Sequence, residues 1–299
     1  MLRLLPVLSL FMIFAAITYS CAEDAAPAAR PIVPGKLLLK AQSRIEQEKQ
    51  TGGFEVVVRD LEWNVAETAI VVCDMWDDHY CKLAAQRVAT MVPRMNPVLN
   101  DARAARAAGA MIMHSPSGTL DFYKETPHRK RMQLTPLVKP PMPLEGWCYL
   151  DPTREPELPV DVSKQPCDDP VVGPAVRVFN RQHAGIDIIG FDGISDRGDE
   201  IYSFCQTHGI KNIALTGVHT NMCVLGRPFG IRQFVKLGFN VVLVRDLTDA
   251  MYDPRQPPFV SHTRETQLVI EHIEKYWCPS IASDDLRNVI PGSDDPVTK

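Results

Sequence analysis

Two short stretches of this 299-residue chain carry side chains that could do chemistry together. One runs from Thr216 through Gly217, Val218, His219, Thr220, Asn221 and Met222 to Cys223. There an apolar run leaves through a glycine and a helical pattern begins. A cysteine at a helix start has its thiolate favoured by the local N–H groups and the helix dipole. The same N–H groups can hold an oxyanion. The other stretch is an apolar run, Thr68 to Cys73, that ends on Asp74 and continues through Met75, Trp76, Asp77, Asp78, His79 and Tyr80. A carboxylate near the thiol could take its proton and leave a sulfur nucleophile. The plainer alternative is that Cys223 is a small buried residue and Asp74 caps a helix or closes an ion pair. Spacing alone leaves both readings open.

The surrounding pattern shows which elements must position these residues. Apolar, β-branched runs alternate with helical spacing. Residues 68–73 read as a buried parallel strand, followed by a helix over 81–91. Asn96 and Pro97 read as the cap and first position of a second helix that stops at Gly109. Residues 110–113 are the next strand. Between Pro127 and Pro174 lie 11 of the chain's 25 prolines, so about 115–174 reads as an irregular insertion. The alternation then resumes with a strand at 175–179, a helix at 198–208 and a strand at 212–216. A helix at 224–237, a strand at 240–244 and a long helix at 261–276 complete it. This order predicts an α/β fold, a parallel sheet with helices on both faces. Ligands bind such sheets at the carboxyl ends of the strands, where Asp74 and Cys223 fall.

Composition narrows the partners. The chain is 45% hydrophobic and 23% charged, with a net charge of −4. Its balance gives no electrostatic reason to expect nucleic acid or an anionic membrane as a partner. Residues 1–22 read as an export signal, with Arg3 before an apolar run and small residues around Cys21. That run is short for a membrane span, and Cys21 offers a site for a lipid anchor. We expect a linker and extension at 23–64, the main domain at 65–278 and a tail at 279–299. Export implies a periplasmic or extracellular location, where disulfides are allowed. Beyond the signal lie Cys73, Cys81, Cys148, Cys167, Cys205, Cys223 and Cys278, an odd set that leaves at least one thiol unpaired. Cys148 and Cys167 share one irregular segment and are the candidate bridge; Cys223 is the thiol expected to stay free. No Cys-x-x-Cys pair supports a redox protein.

Residues 69–75 around Asp74, 215–224 around Cys223, 242–250 around Asp246, and His262 together resemble the isochorismatase-like cysteine hydrolases. Nicotinamidases and carbamoylsarcosine amidases belong to that family. The resemblance implies a three-layer α/β/α, Rossmann-like fold with a sheet of six mostly parallel strands. It implies Cys223 as nucleophile, Asp74 as base, and a cis peptide between Val218 and His219 that aims backbone N–H groups at one point. The reaction implied is hydrolysis of an amide, ureide or carbamoyl C–N bond in a small molecule, with no cofactor, by a homo-oligomer.

The same resemblance implies an Asp-Lys-Cys triad, and there this chain departs. No lysine lies between Lys164 and Lys211. Asn180, Arg181 and His183 are the nearest candidates for its place. Arg181 could supply charge but could not shuttle a proton, whereas His183 could do both. Trp76 and His79 stand where the family carries other residues and are candidate substrate contacts. His114, Asp121 and His128 follow no spacing that makes a metal site, so no metal is expected. Arg227, Arg232 and Arg245 read as ion-pair partners of Asp246 and Asp249, and His262 as a structural hydrogen bond at the last helix. The missing lysine leaves a second reading, a binding protein of the same fold with little turnover.

Overall fold

A computed structural model describes Arg30 and residues 34–47, 53–103, 109–161, 166–287 and 289–291. The expected export signal, Cys21 and most of the linker lie outside these residues. In chain order the elements are β1 (Gly35–Glu46), β2 (Phe54–Asn64), β3 (Thr68–Cys73), α1 (Lys82–Arg103), β4 (Met111–Ser115), α2 (Leu120–Tyr123), α3 (Pro127–Leu134) and β5 (Gly193–Ile194). There follow α4 (Gly198–Thr207), β6 (Asn212–Val218), α5 (Cys223–Gly226), α6 (Ile231–Lys236), β7 (Asn240–Asp249), α7 (His262–Tyr276), β8 (Ser280–Ile281) and β9 (Val289–Pro291).

The central strands are apolar on both faces because both faces are covered. In β3, Ala69, Val71 and Cys73 join one core cluster while Ile70 and Val72 join the other. In β7, Val241 and Leu243 face the first cluster, and Val242 and Val244 the second. On the first face pack α4 through Ile201 and Phe204, α6 through Ile231 and Phe234, and α7 through Val269 and Ile273. On the second packs α1, through Val88, Val92, Met95, Val98 and Leu99. The result is the expected three-layer α/β/α arrangement.

The sheet order is β2-β1-β8-β7-β6-β3-β4-β5, with β9 paired to β1. The stretch β8-β7-β6-β3-β4-β5 is parallel throughout. It supplies the expected six parallel strands. Three more strands, β1, β2 and β9, extend the sheet in antiparallel fashion. The extension at 23–64 and the tail at 279–299 therefore add strands to the main sheet. Leu37, Leu39 and Ala41 alternate into the second core cluster, which is why β1 docks there.

Three expected elements differ. The two helices expected at 81–91 and from Asn96 are one, α1, with Pro93 and Pro97 inside it. Val88, Val92, Met95, Leu99 and Ala102 recur at four- and three-residue steps and are all buried. One continuous apolar stripe outweighs the hydrogen bonds those prolines remove. Asn96 does not cap a helix; its side chain holds the backbone N–H of Asp187 at 2.9 Å. The helix expected at 224–237 is split into α5 and α6 by Pro228 and Gly230. The strand expected at 175–179 is irregular, with Val176 53% exposed. Its place beside β4 is taken by β5. Among the described residues no helix is long and apolar enough to cross a membrane.

Candidate active site

From β3 the chain proceeds outward to β4 and β5, and on the other side of β3 lie β6, β7 and β8. The neighbouring ends of β3 and β6 are thus the switch point of the sheet. The two strands pair in register from Thr68 opposite Asn212 to Cys73 opposite Gly217. Gly217 has φ +105°, and a Cβ on it would collide with the Cys73 carbonyl. Glycine at this position lets the strand ends close up, bringing Asp74 beside the turn that leads into α5.

Asp74 is fully buried and has φ +48°, in the left-handed region that aspartate tolerates better than most residues. Its Oδ1 accepts from the Ser117 N–H at 2.8 Å. Its Oδ2 accepts from Arg227 Nε at 2.9 Å, and Arg227 Nη2 lies 2.9 Å from the same oxygen. The Cys223 thiol stands against this carboxylate and the His219 backbone, and both act on it electrostatically. The Val218–His219 peptide is cis.

Electrostatics set the resting state. Burial pushes the Cys223 thiol well above its ordinary 9.0, and the Asp74 carboxylate pushes the same way, against Arg227. Burial likewise raises Asp74, while Arg227, Cys223 and Ser117 lower it. At rest the buried thiol is neutral, and burial holds the Asp74 carboxyl above its ordinary range against the Arg227 guanidinium beside it. This corrects the expectation that the helix start favours the thiolate: α5 is a single turn, and desolvation dominates.

The cation is also not where the sequence suggested. Arg181 sits 3.9 Å from Asp77 and over the Phe122 ring, with 41% of its side chain exposed. The His183 ring accepts from the Gly185 N–H at 3.1 Å. Neither contacts Asp74 or Cys223. The expected pairing of arginines with Asp246 and Asp249 is also replaced. Arg227 holds Asp74, Arg232 holds Glu155 at 2.7 Å, and Arg245 reaches Ser280 at 3.4 Å. Asp246 pairs with Arg94 and Asp249 with Arg87. The signal that could have found Arg227 was its spacing, four residues beyond the thiol on the same turn.

No family model and no curated protein matches the chain.

The solved structures to which it is similar include a cysteine hydrolase from Pseudomonas syringae pv. phaseolicola, at 15% identity and TM-score 0.47, over 75% of this chain and 92% of that one. An isochorismatase-like hydrolase from Alkaliphilus metalliredigens gives 12% identity and TM-score 0.43, over 75% and 98%. PnC1 from L. infantum, solved with nicotinate, gives 14% and 0.34, over 74% and 95%.

The remaining candidates surround that site at different depths. Trp76 is 7% exposed; it stacks on Phe179 at 4.3 Å and donates to the Ser117 carbonyl at 3.0 Å. It packs the wall beneath the site. His79 is half-buried, and its ring accepts from the Cys81 N–H at 3.2 Å and meets the His219 ring edge-on at 5.2 Å. Burial lowers His79 to about 4 and His219 to about 3, so both rings are neutral near pH 7. Asn180 is exposed, with its N–H on Asp77 at 3.0 Å. His114 is buried between Gln182 and Asp192, at 3.0 and 3.2 Å. His262 holds the Tyr252 carbonyl and Asp249, each at 3.1 Å.

The disulfide is Cys81–Cys167, with Cα atoms 5.5 Å apart, and not the expected Cys148–Cys167. The Cys148 thiol instead donates to Gln233 at 3.4 Å. Cys73, Cys148, Cys205, Cys223 and Cys278 are free and buried. Among the described residues, the three ligand-type side chains close enough to share a metal are Cys81, Cys167 and Asp169; the two sulfurs are in the disulfide, and Asp169 caps α1.

A cavity of about 910 Å³ opens over Cys223 and Arg227. Asn221 and Met222 line it on the strand side, and residues from the proline-rich insertion line the other. Another cavity, of about 620 Å³, lies by Asn212 and Asn240 at the opposite ends of their strands, away from Asp74.

Proposed function

We propose that this chain is an exported cysteine hydrolase of the isochorismatase-like family, cleaving an amide, ureide or carbamoyl C–N bond of a small molecule through a covalent intermediate on Cys223. The observation that carries this reading is Cys223 set beside Asp74 and its Arg227 partner, at a sheet switch point and beneath an open cavity.

Asp74 takes the thiol proton as sulfur attacks the substrate carbonyl carbon. The N–H groups of His219 and Cys223 hold the developing oxyanion. When the C–N bond breaks, Asp74 returns that proton to the departing nitrogen. Water then attacks the thioester, Asp74 accepts its proton, and the carboxylic product leaves as the thiol is restored. Arg227 stays protonated throughout. It favours the ionised form of Asp74 and cannot relay a proton, so Asp74 alone carries the proton in both half-reactions.

A second reading has support in the same site. A deeply buried neutral thiol with no lysine beside it among the described residues also suits a ligand-binding protein of this fold. Rapid mixing with an activated anilide separates the two. The hydrolase gives a burst of released aniline equal to the enzyme concentration, absent in Cys223→Ser. Absence of any burst in the unmodified protein, with binding retained, leaves the binding protein.

A further inference from the structure

Much of the cavity wall facing Cys223 comes from the insertion, through Trp147, Tyr149 and Leu158. That wall is fastened to the turn that carries the nucleophile. The Cys148 N–H donates to the Gly226 carbonyl at 2.7 Å. A Cβ on Gly226 would meet the Trp147 ring at 2.7 Å, so the ring lies directly against α5. Behind the wall, Glu155 accepts from Arg232 Nε and hydrogen-bonds the His272 ring, each at 2.7 Å, and all three side chains are buried. Arg232 also reaches the Cys148 carbonyl at 3.1 Å. The cavity is therefore preformed, and the insertion belongs to the site.

Its chemistry is specific. The volume of about 910 Å³ lies near the upper end of the roughly 300–1,000 Å³ common for ligand sites. That is far more room than a bare carboxamide or urea fills. Trp147, Tyr149, Leu158, Val160, Met222 and Pro258 make most of the lining apolar. The two cations, Arg227 and Arg232, are neutralised by Asp74 and Glu155. Glu157 and Asp161 are the other charged lining groups, so among the described residues nothing there rewards an anion.

We infer that the substrate carries, beside its scissile C–N bond, a bulky uncharged group, aromatic or branched aliphatic, that packs on Trp147 and Tyr149. This rests on Cys223 being the reacting nucleophile. The test alkylates Cys223 in the full processed chain with three iodoacetamides, in which sulfur displaces iodide and the thiol proton passes to Asp74. One is unsubstituted, one carries an N-naphthylmethyl group and one an N-carboxymethyl group. Rates are read by peptide mass spectrometry and normalised to the rates with a small free thiol. The naphthyl probe should react at least about tenfold faster than the unsubstituted one, since it buries a further apolar ring system, and the carboxylate probe more slowly. The naphthyl-to-unsubstituted ratio should fall towards one in Trp147→Ala and in Tyr149→Ser, the second being a rim residue 75% exposed. A naphthyl probe no faster than the unsubstituted one, while the latter still labels Cys223 rapidly, overturns the inference and spares the nucleophile. If neither probe labels Cys223 faster than the denatured chain, both fall.

Discussion

Arg227 sets Nε and Nη2 each 2.9 Å from one oxygen of Asp74, Oδ2, and stands four residues beyond Cys223. A single turn therefore supplies both the thiol and the cation, while the end of β3 supplies the base. Losing the cation should be felt twice. Arg227→Met leaves a fully buried carboxylate unpaired, which costs on the order of 3 kcal/mol. It also lets Asp74 take up a proton and cease to act as a base, so acylation should slow by roughly 100-fold or more. Arg227→Lys should recover part of both. Urea unfolding and burst rates, measured on the same preparations, check this.

The approach of β3 to β6 depends on Gly217. Gly217→Ala must both adopt φ +105° and move the Cys73 backbone away. Gly238→Ala meets only the first demand, since it has φ +85° with nothing within 4 Å of a Cβ. The left-handed conformation alone costs roughly 1–2 kcal/mol. Thermal unfolding should show Gly238→Ala losing about that much and Gly217→Ala considerably more, with loss of the burst in any folded fraction.

Buried Glu265 makes stability depend on pH. Burial raises it from 4.5 to about 8, outweighing His262 and Thr266, which lower it. Its folded pKa lies above the unfolded one, so the folded state binds the proton more tightly. The contribution is complete below about pH 4.5 and is lost as pH rises through about 8. Between those values unfolding free energy should fall by up to about 1.4 kcal/mol per pH unit from this group. Denaturant titrations at several pH values should show this slope flattened in Glu265→Gln.

The Cys81–Cys167 bridge spans 86 residues and fixes the loop whose Asp169 caps α1, through the N–H groups of Lys82 and Leu83 at 2.8 and 2.9 Å. A loop of that length is worth roughly 2–5 kcal/mol. Reduction, or Cys81→Ser, should lower the melting temperature accordingly. A denatured chain processed after residue 22 should titrate as five thiols before reductant and seven after.

The sheet was readable where apolar runs were short and bounded. Thr68–Cys73 forms as read, and Ser261 caps the last helix by accepting from the Arg264 N–H at 3.2 Å. Prolines misled in both directions. Pro93 and Pro97 lie inside a helix whose buried stripe overrides them, while Pro228 breaks one that the apolar pattern carried through. Leu37, Leu39 and Ala41 alternate as a half-buried strand should, a sign outweighed by the Ala/Pro-rich segment preceding them. Asp74 and Cys223 could be paired because both sit at strand ends. Arg227 was missed because an arginine one turn from a thiol has an ordinary explanation, and only the fold brings Asp74 within its reach. The partner of Cys167 lies 86 residues away, beyond what spacing reveals.

The central claim is that Cys223 forms the covalent intermediate with Asp74 as its base. The most direct measurement mixes the enzyme with an activated anilide, quenches it in acid within the first turnover and maps the acyl group by peptide mass spectrometry. One acyl group per chain on the peptide containing Cys223, absent in Cys223→Ser and strongly reduced in Asp74→Asn, is the predicted result. An unmodified Cys223 peptide during observed turnover, or acylation undiminished in Asp74→Asn, would contradict it.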